Sequence, residues 1–236
     1  MSGVVVALDG PSGSGKSTVG RHLATTFHLA CLDTGAMFRA VAWGCLADGV
    51  DLSDHAATER HARDLDITMG LDPDDARVWV REHDITTEIR TDRITTAVTE
   101  VATNLGVRAE LKRRQRAIIE AERTGGYSGG HGILAEGRDI TTVVAPDADV
   151  RILLVAGEEA RLRRRALETL GRDDAEALEA TRALVVTRDQ RDSTVSQFLT
   201  PAEGVTPLDS STLSLAETLE AATALVTAGL ERLRRE

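Results

Sequence analysis

The stretch Val4–Thr18, VVVALDGPSGSGKST, decides the architecture of this 236-residue chain. Val4-Val5-Val6-Ala7-Leu8 is rich in β-branched residues and has no polar alternation, which predicts a strand buried on both faces, as in parallel sheets. Asp9-Gly10-Pro11 ends it. From Lys16 to Phe27, Val19, Leu23 and Phe27 recur at i, i+4 and i+8, the apolar stripe of a helix. Between strand and helix the residues Gly10 to Ser17 have the spacing G-x-x-x-x-G-K-[ST]. Glycines let backbone N–H groups curl around an anion without Cβ clashes. The helix N-terminus adds unpaired N–H groups and a partial positive charge. The spacing therefore predicts that Gly10, Pro11, Ser12, Gly13, Ser14, Gly15, Lys16, Ser17 and Thr18 cradle a nucleoside triphosphate. Lys16 would place its charge on the β- and γ-phosphates as a catalytic residue, and the Ser17 hydroxyl would be the protein's ligand to Mg²⁺.

Working outward, Leu29–Leu32 reads as a second strand and Ala36–Leu46 as a second helix, followed much later by strands at Ile133–Ala135 and Val150–Val155. Strands alternating with helices predict an α/β fold with a parallel sheet flanked by helices. Residues 59–91 differ: Leu65–Met69 and Arg77–Arg81 alternate with period two about the turn Asp72-Pro73-Asp74-Asp75, the pattern of a small antiparallel insertion. Asp92–Asn104 and Val107–Arg123 read as helices, Thr124–Gly132 as a flexible glycine-rich loop, Glu158–Asp192 as two charged helices joined near Gly171-Arg172-Asp173, and Leu213–Leu233 as a terminal amphipathic helix.

Acidic residues number 38 against 28 basic ones, a formal net charge of −10, and aromatics are 3%. That balance argues against a general nucleic-acid binder, which needs a basic surface and stacking platforms. Cys31 and Cys45 imply no disulfide framework, and the apolar runs are far shorter than the roughly 18 residues that span a bilayer. With no basic segment preceding the short apolar start, the expected location is the cytoplasm. Only Lys16 and Lys112 of the 28 basic residues are lysines, so a lysine at the loop position is informative.

A P-loop does not by itself name a reaction. A regulatory GTPase needs N-K-x-D, yet the sole asparagine, Asn104, is followed by leucine. Tyr127-Ser128-Gly129-Gly130-His131 resembles a transporter-ATPase signature but lacks the accompanying acidic strand. A small-molecule or nucleotide kinase remains, and it needs a second anion site. Asp33–Arg39 and Glu136–Asp139 each follow a strand, and loops at strand carboxyl ends converge in open α/β sheets. Arg39, Arg138 and Arg108 supply fork-like donors suited to a monophosphate.

Across nearly its whole length the chain resembles bacterial cytidylate kinases of the nucleoside monophosphate kinase superfamily. The resemblance is carried by DGPSGSGKST (Asp9–Thr18), DTGAMFR (Asp33–Arg39), EIRT (Glu88–Thr91), VRAELKRRQR (Val107–Arg116), EGRDITTVVAPDAD (Glu136–Asp149), RDQRDS (Arg188–Ser193) and LDSSTLS (Leu208–Ser214). It implies transfer from ATP, with Mg²⁺, to CMP or dCMP by a monomer. Residues 1–58, 92–157 and 193–236 would form the P-loop core, 59–91 the monophosphate-binding insertion and 158–192 a mobile lid. By position, Thr34, Arg39, Arg90 and Arg138 would hold the acceptor phosphate, with Arg39 and Arg138 also catalytic. Thr99, Arg108 and Asp139 would read cytosine, and Asp192 would sit by the ribose. Among lid arginines Arg161, Arg163, Arg164, Arg165, Arg188 and Arg191, at least one would reach the transferring phosphoryl group, with Arg188 favoured as catalytic.

Three positions depart from the family pattern. Val195 stands where an arginine is expected, and no arginine occurs between Arg191 and Arg232. Losing one charge-assisted bond weakens acceptor binding by about 1.5–3 kcal/mol. Thr141 replaces a glycine and would narrow the site or shift its loop, and Phe38 replaces a tyrosine. Two alternatives follow: a divergent paralogue acting on another small nucleotide or metabolite, and a nucleotide-binding regulatory protein with little turnover.

Overall fold

The computed structural model describes residues 2–196 and 198–235, apart from the side chains of Ala183, Leu184, Thr187, Arg188 and Arg191. Strands β1 (Val4–Asp9), β2 (Ala30–Asp33), β6 (Gly132–Gly137), β7 (Val150–Val155) and β8 (Thr206–Asp209) form a sheet in the order β2-β6-β1-β7-β8, with every pairing parallel. The opening run explains the centre of this sheet. Val5 and Ala7 join a core cluster beneath α2 (Thr34–Ala47), α4 (Asp92–Thr103) and α5 (Leu105–Thr124). Val6 and Leu8 join a second cluster with α1 (Lys16–Phe27) and α8 (Leu215–Leu233). Successive side chains point to opposite faces of a strand, and helices cover both faces, so every residue from Val5 to Leu8 is fully buried. Each buried valine or leucine side chain contributes roughly 1.5–3 kcal/mol.

The register aligns the carboxyl ends: Asp9 lies opposite Gly137 and Leu153, Asp33 opposite Glu136, and Val155 opposite Asp209. Every loop that leaves these ends therefore emerges at one edge. A second sheet of β3 (Ile67–Met69), β4 (Val78–Val80) and β5 (His83–Asp84) is antiparallel. Its Val78 and Val80, with Ile85 beyond, share the core cluster that contains Ala40, Val41 and Cys45 of α2. The helices α6 (Glu158–Leu170) and α7 (Ala175–Ser193) pack on one another across a turn at Gly171.

The structure differs from the sequence reading in three places. Helix α3 (His55–Asp64) precedes the small sheet, so residue 59 falls inside a helix. The segment before the terminal helix is a fifth strand, β8, whose Pro207 pairs at the sheet edge with Leu153, where a missing N–H is tolerated. The glycine-rich loop is pinned rather than loose: the Glu122 carboxylate accepts from the N–H groups of Tyr127 and Ser128, both at 2.8 Å. Among the described residues, no helix is long and apolar enough to cross a membrane.

Candidate active site

The P-loop leaves the sheet between β1 and β7. A Cβ on Gly10 would lie 2.2 Å from the carbonyl oxygen of Leu154, so only glycine lets the chain turn there. Gly13 and Gly15 have φ of 75° and 94°, left-handed values that a side chain strains. Gly15 caps α1 without any side-chain hydrogen bond, leaving the first turn of the helix to face an anion. Lys16 Nζ donates to the Pro11 carbonyl at 3.1 Å, spanning the loop mouth. Ser12 to Thr18 line a cavity of about 930 Å³, whereas Gly10 and Pro11 do not.

Asp9 is fully buried and faces away from ligand. Its carboxylate accepts from Ile140 N at 3.0 Å, Thr141 N at 2.8 Å and Thr141 Oγ1 at 2.6 Å. Burial pushes its carboxyl up, and these three bonds pull it back. Thr141, at 3% exposure, spends its hydroxyl on Asp9. It does not line the cavity, so the narrowing expected from this departure does not occur. It ties β1 to the following single turn of π-helix, Ile140–Val144.

The far wall carries Arg39, Arg90 and Arg138, which were expected to hold an acceptor phosphate. Thr34 donates its hydroxyl proton to the Glu136 carbonyl at 2.7 Å, which joins β2 to β6. Arg39 donates to the Ile89 carbonyl at 2.9 Å and to Thr95 Oγ1 at 3.0 Å. Burial lowers its guanidinium, Asp33 opposes, and the like charges of Arg165, Arg90 and Arg138 lower it further, because four guanidinium groups converge here. Arg90 is exposed yet lines the cavity.

Arg108 donates to the Ala102 carbonyl and to Ser196 Oγ, each at 3.0 Å, and pairs with Asp139. Its guanidinium lies 5.8 Å from the centre of the Phe38 ring, so this departure keeps its packing. Burial pushes the Asp139 carboxyl up, and Arg108 and Lys112 hold it down. Thr99 is buried on α4 and does not line the cavity, although Val98 and Ala102 do. Arg138 forms ion pairs with Asp192 and, at 3.0 Å, with Asp189.

The arginines of α6 and α7, the segment expected to form a lid, divide between cavity and surface. Arg164 and Arg165 line the cavity, and Arg164 also donates to Ser14 O, Ser210 O and Ser210 Oγ. Arg161 binds Ser12 O and Asp189, whereas Arg163 pairs with Glu159 on the surface. The Arg188 and Arg191 side chains lie outside the described residues. Val195 is half-buried and absent from the cavity wall, while Asp192 and Ser196 on either side of it are present.

Sequence reasoning missed a carboxylate pair behind Ser17. Glu136 is 4% exposed. Burial and the like charge of Asp33 push it up to about 7, against Lys16, a hydrogen bond from Ser17, and Arg21. Among the described residues no three His, Cys, Asp or Glu side chains could hold a metal ion. The donor set, one hydroxyl with two carboxylates near the phosphate loop, instead suits Mg²⁺, which keeps several waters and shares its shell with substrate phosphates. The only signal in the sequence was the acidic residue ending each of two strands.

The cytidylate kinase family model matches residues 6–228. The chain belongs to the cytidylate kinase family. It is 41% identical to a cytidylate kinase of Geobacter sp. (strain M21), covering 93% of this chain and 91% of that one. It is 42% identical to one of Cutibacterium acnes, covering 95% and 96%, and 42% identical to one of Rhodococcus jostii, covering 91% and 90%. The family model thus runs from within β1 into α8.

Proposed function

We propose that the chain catalyses ATP + CMP (or dCMP) ⇌ ADP + CDP (or dCDP). The observation that carries this is one cavity with two unlike walls: a phosphate-binding loop on one side, and on the other four arginines beside a half-buried Arg108–Asp139 pair. A phosphate oxygen of CMP attacks the γ-phosphorus as the bond to the bridging oxygen of ADP breaks. Such transfers need in-line positioning, charge neutralisation and exclusion of water more than covalent help. Lys16 and the loop N–H groups hold the donor phosphates. Arg39, Arg90 and Arg138 grip the acceptor phosphate, and Arg164, Arg165 and Arg188 belong to the lid that closes over it.

Bound Mg²⁺ neutralises the donor phosphates; Ser17 would ligate it, with Asp33 and Glu136 behind. For the base, Asp139 accepts from the exocyclic amine of cytosine, and Arg108 donates to its O2 and N3. Uracil would set a carbonyl against Asp139, a mismatch costing roughly 1–3 kcal/mol. Asp192 takes the ribose, and Thr99 contributes through the packing of α4. The protein works as a cytoplasmic monomer, without nucleic acid or membrane.

Val195 favours a second reading, a paralogue with another acceptor, because the expected arginine is gone. A panel of CMP, dCMP, UMP, AMP and GMP with ATP, followed by ADP release, separates the two. Turnover with CMP or dCMP well above UMP is expected; turnover only with another acceptor supports the paralogue. Lys16→Ala should abolish turnover while leaving the circular dichroism spectrum unchanged. Near-normal kcat in that variant removes Lys16 from the mechanism.

A further inference from the structure

Asp189 lies on α7, 5% exposed, and three separate segments meet on its carboxylate. Oδ1 accepts from the backbone N–H of Ser12 in the P-loop at 3.1 Å and pairs with Arg138 Nη2 of the acceptor wall at 3.0 Å. Oδ2 accepts from Arg161 of α6. Arg161 Nη1 also donates to the Ser12 carbonyl at 2.9 Å, so the two lid helices close a ring around one P-loop residue. A Cβ on neighbouring Gly13 would lie 2.6 Å from the Arg161 carbonyl oxygen, so the lid seats directly on the loop. One helical turn beyond, Asp192 takes the other end of Arg138, whose guanidinium carbon lies 4.7 Å from the centre of the buried Phe198 ring.

We propose that Asp189 is a positioning residue that couples the donor site to the acceptor site: its carboxylate holds Arg138 and the P-loop in mutual register through the closed lid. A buried carboxylate is tolerated only with partners that satisfy it. Here those partners come from both substrate walls, so ordering either wall favours the position of Asp189 that the other requires. Arg138 has five N–H donors and lines the cavity, so the guanidinium that Asp189 and Asp192 hold is also part of the acceptor wall. Donor and acceptor thus bind cooperatively, by an amount that depends on this one side chain.

The proposal rests on the kinase reading above, and its test separates the two. The affinity of the acceptor nucleotide is measured by calorimetry without and with a saturating non-hydrolysable ATP analogue. In the wild type the analogue should tighten acceptor binding at least about fivefold. In Asp189→Asn, which keeps shape but loses charge, the factor should fall to near one while the unliganded melting temperature stays within a few degrees. Arg161→Gln, which leaves Asp189 on Arg138 but cuts the arm to the loop, should give the same flattening if the asparagine variant folds poorly. Equal coupling in wild type and variants, or none in the wild type, overturns the proposal. If the panel identifies an acceptor other than CMP or dCMP, the kinase reading is corrected, and the coupling is measured with that acceptor.

Discussion

Glu136 ends β6 with a carboxylate almost entirely out of water, beside Asp33 and behind Ser17. Its carboxyl is raised from 4.5 to about 7. A group whose pKa is higher folded than unfolded supports folding below the unfolded value, and that support is lost as pH rises through the folded value. Glu136 therefore costs stability progressively between about pH 4.5 and 7 and most above it. In Mg²⁺-free buffer, Glu136→Gln should raise the melting temperature at pH 8 by clearly more than at pH 5; an equal change at both rejects the assignment. Position alone could not reveal this, because burial depends on what β2 and α1 place around the residue. The three departures were equally visible in sequence but not their consequences. Thr141 turned out to bind Asp9, Phe38 to pack under Arg108, and Val195 to lie off the cavity wall.

Among elements, the β1–loop–α1 unit was the most legible, because its signals are short-range: a strand-length apolar run, a glycine spacing and a helical stripe. Gly10 shows how tightly the unit is built into the sheet. Gly10→Ala would drive a methyl group against the Leu154 carbonyl, forcing β1 and β7 apart. Such a clash with backbone should cost at least about 2 kcal/mol and shift the urea midpoint downward; an unchanged midpoint shows that the loop relaxes freely. Strand β8 was hidden by its proline and by having one neighbour, since an edge strand needs no long apolar run. Helix α7 was legible as a charged helix, but not the partners of Asp189 and Asp192. On an isolated charged helix Asp189 reads as solvated surface, and Asp192 was expected beside the ribose rather than on Arg138.

The molecule as a whole carries a net charge of −10, yet its cavity gathers Arg39, Arg90, Arg108, Arg138, Arg164 and Arg165. The acidic excess lies elsewhere, and a basic cavity in an acidic protein draws small anions to the site. The exposed large apolar residues are spread over the start of α5, the glycine-rich loop, the lid and the start of α8. Sedimentation velocity at micromolar concentration should accordingly show one species of monomer mass; a concentration-dependent dimer contradicts this. The α/β class and the strand–loop–helix unit of the P-loop were legible from residue order, because periodicity and glycine spacing act over a few residues. That the strand-end loops converge was expected as well, but the particular contacts that join them were not. Thr34 and Glu136 are 102 residues apart, Asp9 and Thr141 132, and Ser12 and Asp189 177. Those contacts exist only once strand order and register bring five carboxyl ends to one edge and α6 and α7 pack back over them, an arrangement set by burial of the two core faces together.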